Sequence, residues 1–191
     1  MNASFFFTGR FYRNPAFAKI IQELKKDGHY LGAHSDAHLL YNDWVKRDSL
    51  LVTHRQFDVD VLNNYDAMKK FGIRKNDAPF FLPPFEWYND TIAGWAKQLG
   101  LQLINYTPGT LSHADYTTPS MKNYRTSEEI IRSVHEYEQK RSTGLNGFIL
   151  LMHIGAGKER KDKLHDRLDD LLRWLKQKGY SVVPLRDLLI I

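Results

Sequence analysis

The sequence predicts an α/β fold built around a parallel sheet, and two observations carry that prediction. Short apolar runs alternate with amphipathic segments along the whole 191-residue chain. Such alternation is typical of βαβ units, whose right-handed crossovers make the strands parallel. No repeat, low-complexity tract or linker interrupts the pattern, so we predict one domain over residues 1–191. From the residues alone, the sheet is either a closed barrel or open.

Six apolar runs predict the strands. The run from Phe148 to Met152 is continuous and is the strongest of the six. The third run is closed by Pro83 and Pro84, neither of which has a backbone N–H to continue a strand. In chain order the predicted strands are residues 3–7, 29–33, 80–82, 101–106, 148–152 and 180–183.

Five amphipathic segments between these runs predict helices, each with a start or stop signal. Asn14 and Pro15 are typical of a helix start, and Thr126 and Glu129 have the spacing of a capping box. Glycine follows the last apolar position of four of the segments. The predicted helices run from Pro15 to Gly28, from about Thr53 to Gly72, from Asn89 to Gly100, from Thr126 past Val134, and from Leu164 to Gly179.

Composition excludes several classes of function. Lys and Arg number 27 against 22 Asp and Glu, a net charge of +5, and acids interrupt the densest basic run, residues 158–163. A solvated helix start explains that run better than a nucleic-acid partner does. The absence of cysteine excludes disulfides, thiolate zinc sites and a cysteine nucleophile. No apolar stretch approaches the ~20 residues of a membrane span, and residues 1–4 do not resemble a signal peptide.

Three of the eight histidines lie where predicted strands end, which is where ligand sites collect in parallel α/β folds. His34 and His38 are four residues apart, so one helical turn or a tight loop brings both imidazoles to one side, able to share a divalent metal. Asp36 between them is the nearest carboxylate. His153 ends the fifth predicted strand, where the alternative is a buried histidine bonded to a backbone carbonyl.

Aromatic residues cluster at the same predicted rim. Phe85, Trp87 and Tyr88, together with Tyr41 and Trp44, either line a sugar-binding groove or belong to the core. In the groove reading, Glu86, Asn89 and Asp43 hydrogen-bond the sugar hydroxyl groups. The chain has no glycine-rich phosphate loop and no G-x-S-x-G motif, which disfavours nucleotide enzymes and serine hydrolases.

Four segments, taken in order, resemble the polysaccharide deacetylase family. They are Ala3–Gly9, Gly28–His38, Phe81–Phe85 and Leu150–His153. The His-Ser-x-x-His element within Gly28–His38 is the most specific of them. The resemblance covers essentially the whole chain.

The resemblance implies an irregular β/α barrel that hydrolyses acetyl groups on carbohydrate polymers with a divalent metal. His34 and His38 would be metal ligands, for zinc before nickel or cobalt, and His153 the general acid. Pro84, Phe85, Glu86, Trp87 and Tyr88 would bind substrate, with a backbone N–H near Phe85 facing the oxyanion. The implied partner is an acetylated polysaccharide or oligosaccharide, at the cell envelope or outside the cell.

The chain departs from the family pattern at three places. The family's first motif, a strand ending in two Asp residues, precedes Ala3–Phe7, so we expect a barrel one βα unit short and therefore open. Leu82 occupies the position of the groove arginine. The segment Tyr106–Thr110 stands where the family has an aspartate motif, with Asp115 nearby at a spacing that does not match.

These departures keep three functions open. Asp36 or Glu86 would have to replace the absent metal-binding carboxylate in an active enzyme. The alternatives are a catalytically inactive carbohydrate-binding or structural member, and an esterase acting on O-acetyl groups. An open sheet edge would also allow pairing with a second copy of the chain.

Overall fold

A computed structural model describes residues 1–189. The chain divides into two compact units. The first comprises Met1–Asn105 with the C-terminal segment from Val182, and the second comprises Tyr106–Ser181. The prediction of one domain remains a prediction. Among residues 1–189, no helix has the length and hydrophobicity needed to cross a membrane.

The first unit contains a four-stranded parallel sheet, which confirms the predicted α/β fold. Its strands are β1 Ser4–Phe7, β2 Tyr30–Ala33, β3 Phe80–Phe81 and β4 Gln102–Leu103, paired in that order. Phe7 pairs with Ala33, and Ala33 with Phe81, so the carboxyl ends of three strands lie side by side. The sheet of the described residues is open, as expected from the order of the motifs.

Residues 1–189 also contain seven α-helices, distributed over the two units. They are α1 Gly9–Arg13, α2 Ala18–Lys26, α3 His54–Lys69, α4 Asp90–Gln98, α5 Ser127–Lys140, α6 Leu168–Gln177 and α7 Leu185–Leu188. The sequence predicted α2 to α6 and missed the short α1 and α7. Asn14 caps a 3-10 turn, Pro15–Phe17, and α2 begins only after it.

Side-chain capping explains where three of the predicted helices begin. Thr53 forms a reciprocal capping box with Gln56, and Thr126 forms one with Glu129. Asn89 accepts a hydrogen bond from the backbone N–H of Ile92, at 3.0 Å. Each cap satisfies backbone donors that the first helical turn leaves without partners.

The core of the first unit lies between α3 and the sheet. Phe57 and Val61 of α3 and Phe80 and Phe81 of β3 are fully buried. The helical spacing of Phe57, Val61, Tyr65 and Met68 predicted this face of α3, and all four side chains are buried. This packing fixes the ends of β2 and β3, which carry the candidate site.

The predicted strands at residues 148–152 and 180–183 are wrong, because neither segment is a strand in the structure. The 148–152 segment is half-buried. Ile149 exchanges two hydrogen bonds with Thr107, whose N–H donates to the Ile149 carbonyl and whose Oγ1 accepts from the Ile149 N–H, and Phe148 N–H donates back to the Leu145 carbonyl in a turn. A ladder needs successive backbone partners along a neighbouring strand. An apolar run by itself does not supply that neighbour.

The second unit contains α5 and α6, and His135 of α5 packs its ring on Trp174 of α6 at 4.1 Å between centroids. His135 Nε2 is buried and has no hydrogen-bond partner among the described residues. Burial is the main cause that lowers the pKa of His135, so the folded chain favours the neutral ring.

The unfolded state therefore binds more protons, and we expect the free energy of unfolding to fall as the pH drops below the ordinary histidine value of about 6.5. Urea unfolding at pH 7.5 and pH 5 measures that loss. His135→Phe is expected to reduce it, whereas His165→Phe, on an exposed side chain, serves as the matched control. An equal loss in His135→Phe and wild type would contradict the prediction.

Candidate active site

The loop after β2 carries the first predicted site residues in a constrained backbone. Ser35 and His38 both have left-handed φ angles, 63° and 58°. Ser35 is fully buried, and its Oγ accepts a hydrogen bond from the His38 backbone N–H at 2.9 Å. Left-handed conformations are costly for residues other than glycine and cluster at functional sites.

His34 is fixed by hydrogen bonds on both its backbone and its ring. Its N–H donates to Asn64 Oδ1 at 2.8 Å, and Asn64 Nδ2 in turn donates to the Phe7 carbonyl. Its ring Nδ1 lies 2.8 Å from the carbonyl oxygen of Leu82. Since a carbonyl only accepts, Nδ1 carries the proton of the neutral ring and Nε2 keeps its lone pair. Metal-binding histidines commonly have this second-nitrogen contact.

The structure brings His34 and His38 together, with their ring centroids 4.9 Å apart. In the described residues, however, no three histidine or acidic side chains lie close enough to hold one metal ion. A catalytic zinc ordinarily has three protein ligands. His34 and His38 therefore supply two of the three protein ligands that a catalytic zinc site ordinarily has.

Asp36, the predicted substitute carboxylate, forms an ion pair with Arg13. Its side chain also lies against Gly9, where a Cβ atom would come within 1.8 Å of Asp36 Oδ1. The carboxylate thus faces α1 and its basic residue. Its role as a metal ligand remains a prediction.

The loop after β3 carries the predicted substrate-binding residues Pro84–Tyr88. Phe85 and Glu86 have left-handed φ angles, 61° and 54°. The Glu86 and Trp87 N–H groups donate to the Pro83 and Pro84 carbonyls, so neither can donate to a substrate in this conformation. The four non-glycine residues with positive φ in the described chain thus belong to two adjacent loops.

The aromatic residues of these loops divide between surface and core. Phe85 packs edge-on against His38 at 4.4 Å, and Trp44 and Phe85 are both exposed. Of the two alternatives for Tyr41, the structure supports the core, because its side chain is buried and its hydroxyl donates to Asp60. Asn89 is likewise buried and is occupied in capping α4.

In the second unit, His153 is held by Asp115 through two hydrogen bonds. The two carboxylate oxygens of Asp115 lie 2.7 Å from the ring Nδ1 and from the backbone N of His153. Asp115 is buried, with 4% of its side chain exposed, whereas 30% of the His153 side chain is exposed. An aspartate bonded to Nδ1 fixes the imidazole's orientation and stabilises its protonated form, as in catalytic triads.

Asp115 is not among the predicted site residues, because its spacing from the preceding strand does not match the family pattern. It lies on a 3-10 helix, Ser112–Tyr116, in the segment between β4 and α5. One signal did mark it: Asp115 is the only acidic residue between Thr107 and Arg125.

A cavity of about 200 Å³ opens beside this pair and is also lined by Ile154, Lys163 and His165. His113 lies close by and stacks on Tyr106 at 4.8 Å. Burial first, and the neighbouring His153 second, lower the pKa of His113, while Asp115 opposes the shift. The Asp115 carboxylate bonds the ring of His153 directly.

Comparison with known proteins settles the family. The profile of the polysaccharide deacetylase family matches residues 1–104, more than half of the chain. The chain belongs to this family. The matched residues include β1 to β4 and the His34–His38 loop, which confirms the resemblance of the motifs.

Relatives within the family differ in activity. The chain is 27% identical over 188 residues to a peptidoglycan-N-acetylglucosamine deacetylase of Bacillus cereus, covering 98% of this chain and 75% of the relative. It superposes on a family 4 acetyl xylan esterase from Clostridium thermocellum in complex with a cobalt ion, at a TM-score of 0.72 and 23% identity, covering 98% of this chain and 76% of that one.

A second similar structure is a CE4 family pseudoenzyme from Bacillus anthracis. It matches at a TM-score of 0.71 and 18% identity and covers all of this chain. The chain spans 56% of the pseudoenzyme's length and 61% of the length of a further curated relative. At these identities the structural matches establish the fold.

Proposed function

We propose that the chain is a metal-dependent hydrolase that removes acetyl groups from the amide nitrogen of an acetylated carbohydrate polymer. The observation that carries this proposal is the His153–Asp115 pair. A buried carboxylate that orients a partly exposed imidazole is the arrangement that general acid catalysis requires. A purely structural module gains nothing from the exposure of that ring.

In this reaction His153 donates a proton to the departing amine nitrogen as the carbon–nitrogen bond breaks. Asp115 holds the proton-bearing ring in place and stabilises its positive charge before transfer. Pro84–Tyr88 would form one wall of the substrate groove. The Phe85 N–H is the donor proposed for the oxyanion, because the Glu86 and Trp87 N–H groups are used within their own turn.

His34 and His38 are the residues that would hold the metal, with zinc proposed before nickel or cobalt. A divalent ion would polarise the acetyl carbonyl and lower the pKa of a bound water. The Leu82 carbonyl contributes by fixing the ring of His34.

Two observations favour a second candidate, a catalytically inactive member that binds carbohydrate. The described residues provide no third metal ligand beside His34 and His38, and Leu82 stands where the family has its groove arginine. An O-acetyl esterase would use the same residues on a different bond, so the choice of substrate separates it from an amidase.

Measuring acetate release distinguishes the amide deacetylase, the O-acetyl esterase and the inactive member. The chain, supplied with zinc or cobalt, is incubated with N-acetylated chitooligosaccharides and separately with O-acetylated xylan. Acetate from the first substrate supports the proposal, and acetate from xylan alone supports the esterase. Binding of oligosaccharide without acetate from either substrate supports the inactive carbohydrate-binding member.

Metal binding gives a prediction independent of activity. We expect calorimetry to detect one zinc ion per chain, bound 10- to 100-fold more weakly than at a three-ligand site. His34→Ala and His38→Ala should each abolish it. His54→Gln is the matched control, because His54 stacks on Trp95 at the start of α3. Absence of binding at millimolar zinc would contradict the prediction.

A further inference from the structure

Trp44 lies on a loop whose conformation is fixed by its own hydrogen bonds. Asp43 Oδ1 accepts from the Val45 and Lys46 N–H groups at 2.8 and 2.7 Å, and these bonds lower the pKa of the Asp43 carboxyl. Asp43 N–H donates to the Ser49 carbonyl across the loop. The loop holds Trp44 in place although 53% of that residue is exposed.

The loop after β3 holds the loop that carries Trp44 through hydrogen bonds and a cation–π contact. Trp87 Nε1 donates to the Asp43 carbonyl, and Arg47 Nε donates to the Tyr88 carbonyl at 2.8 Å. The Arg47 guanidinium lies over the Trp87 ring at 4.4 Å, which adds a cation–π contact. Asn89, buried at the start of α4, donates to the Arg47 carbonyl.

The rings of these loops form a continuous row that leads to the histidine pair. The ring centroid of Trp44 lies 5.6 Å from that of Trp87 and 5.4 Å from that of Phe85, which it meets edge-on. Phe85 in turn contacts His38 at 4.4 Å. One ring therefore separates Trp44 from the predicted metal-binding residues.

From this arrangement we infer that Trp44 is a sugar-binding platform, which stacks on a pyranose ring next to the one whose acetyl group reaches the histidine pair. This inference rests on the proposed function and deepens it, because it names the residue that would bind the sugar next to the one that loses its acetyl group. A single acetylated sugar cannot occupy both places.

Three features favour a sugar over another occupant. The exposed ring is planar and rigidly held, so binding costs little conformational entropy. An indole face packs well against the apolar face of a pyranose, and the guanidinium of Arg47, which lies over the neighbouring Trp87 ring, is a hydrogen-bond donor for hydroxyl groups. The row also leads to the predicted reaction site, which gives a polymer a path along it.

Oligosaccharide binding tests the inference without any need for hydrolysis. Calorimetric titration of the full chain with N-acetylglucosamine and with its β-linked tetramer gives both dissociation constants. We expect Trp44→Ala to weaken tetramer binding about 10-fold and Trp44→Phe to weaken it less. Val45→Ala is the matched control: Val45 is the next residue and 90% exposed, and its loss should change neither constant.

The outcomes separate this inference from the proposed function. Unchanged tetramer affinity in Trp44→Ala overturns the inference, even if the wild type releases acetate. If the wild type binds the tetramer through Trp44 but releases no acetate, the inference is supported and the proposed hydrolase activity is contradicted. If Trp44→Ala and Val45→Ala lose tetramer affinity equally, the surface binds a protein and the sugar platform is overturned. The same follows if the wild type is a dimer on size exclusion and Trp44→Ala is not.

Discussion

Replacing His153 with alanine is expected to lower kcat for acetate release about 10³-fold while leaving KM almost unchanged. The amine leaves poorly unless it is protonated, and a positioned general acid contributes roughly 10²- to 10⁴-fold. The variant keeps the backbone N–H that donates to Asp115, so the carboxylate retains one partner. Steady-state kinetics on a chitooligosaccharide, with thermal unfolding as a check on folding, measures the effect.

Asp115→Asn distinguishes a positioned acid from a histidine that merely lines a cavity. The amide is nearly the same size but removes the negative charge from His153 Nδ1, so we expect kcat to fall about 10²-fold with little change in KM. His165→Gln is the matched control, because His165 lines the same cavity but is exposed. Full activity in Asp115→Asn would remove the carboxylate from the mechanism, and an equal loss in His165→Gln would point to general damage to the cavity.

The predicted parallel sheet and five of the helices could be read from the sequence because their signals are local. The apolar stripe of α3 and the capping boxes at Thr53 and Thr126 depend on residues within one or two turns. The 148–152 run shows the limit of this reasoning. Five consecutive apolar residues establish a preference for burial, whereas a strand also needs a backbone neighbour that no local pattern encodes.

The candidate site likewise combines one feature that a local sequence pattern predicts with contacts that only folding creates. Adjacent imidazoles at His34 and His38 followed from a four-residue spacing next to a strand end. The Leu82 carbonyl on His34 and the Asp115 carboxylate on His153 join residues 48 and 38 positions apart. Spacing cannot predict such contacts, since only the folded chain brings these groups together. The sequence left Tyr41 open between groove and core for the same reason, because the buried acceptor of its hydroxyl, Asp60, is 19 positions away.

Arg160 is a residue that the sequence analysis placed in a solvated basic run, and the structure buries it completely. Its guanidinium donates to the carbonyls of Asp162, Thr117 and Arg125 and to Ser127 Oγ, at 2.7 to 3.2 Å. No carboxylate of residues 1–189 forms an ion pair with it. Backbone oxygens therefore compensate the buried charge, and the side chain ties residues 117–127 to residues 160–162.

Arg160→Met should consequently destabilise the second unit by about 4 kcal/mol. It leaves several buried oxygens without a donor, at roughly 1–3 kcal/mol each, partly relieved by relaxation and water. Urea unfolding monitored by tryptophan fluorescence measures the loss. Arg173→Met is the matched control: Arg173 pairs with Asp170 on the exposed face of α6, and we expect a change below about 0.5 kcal/mol. Since Thr117 follows the 3-10 helix that carries Asp115, a stable Arg160→Met chain would mean that this helix is held by other contacts.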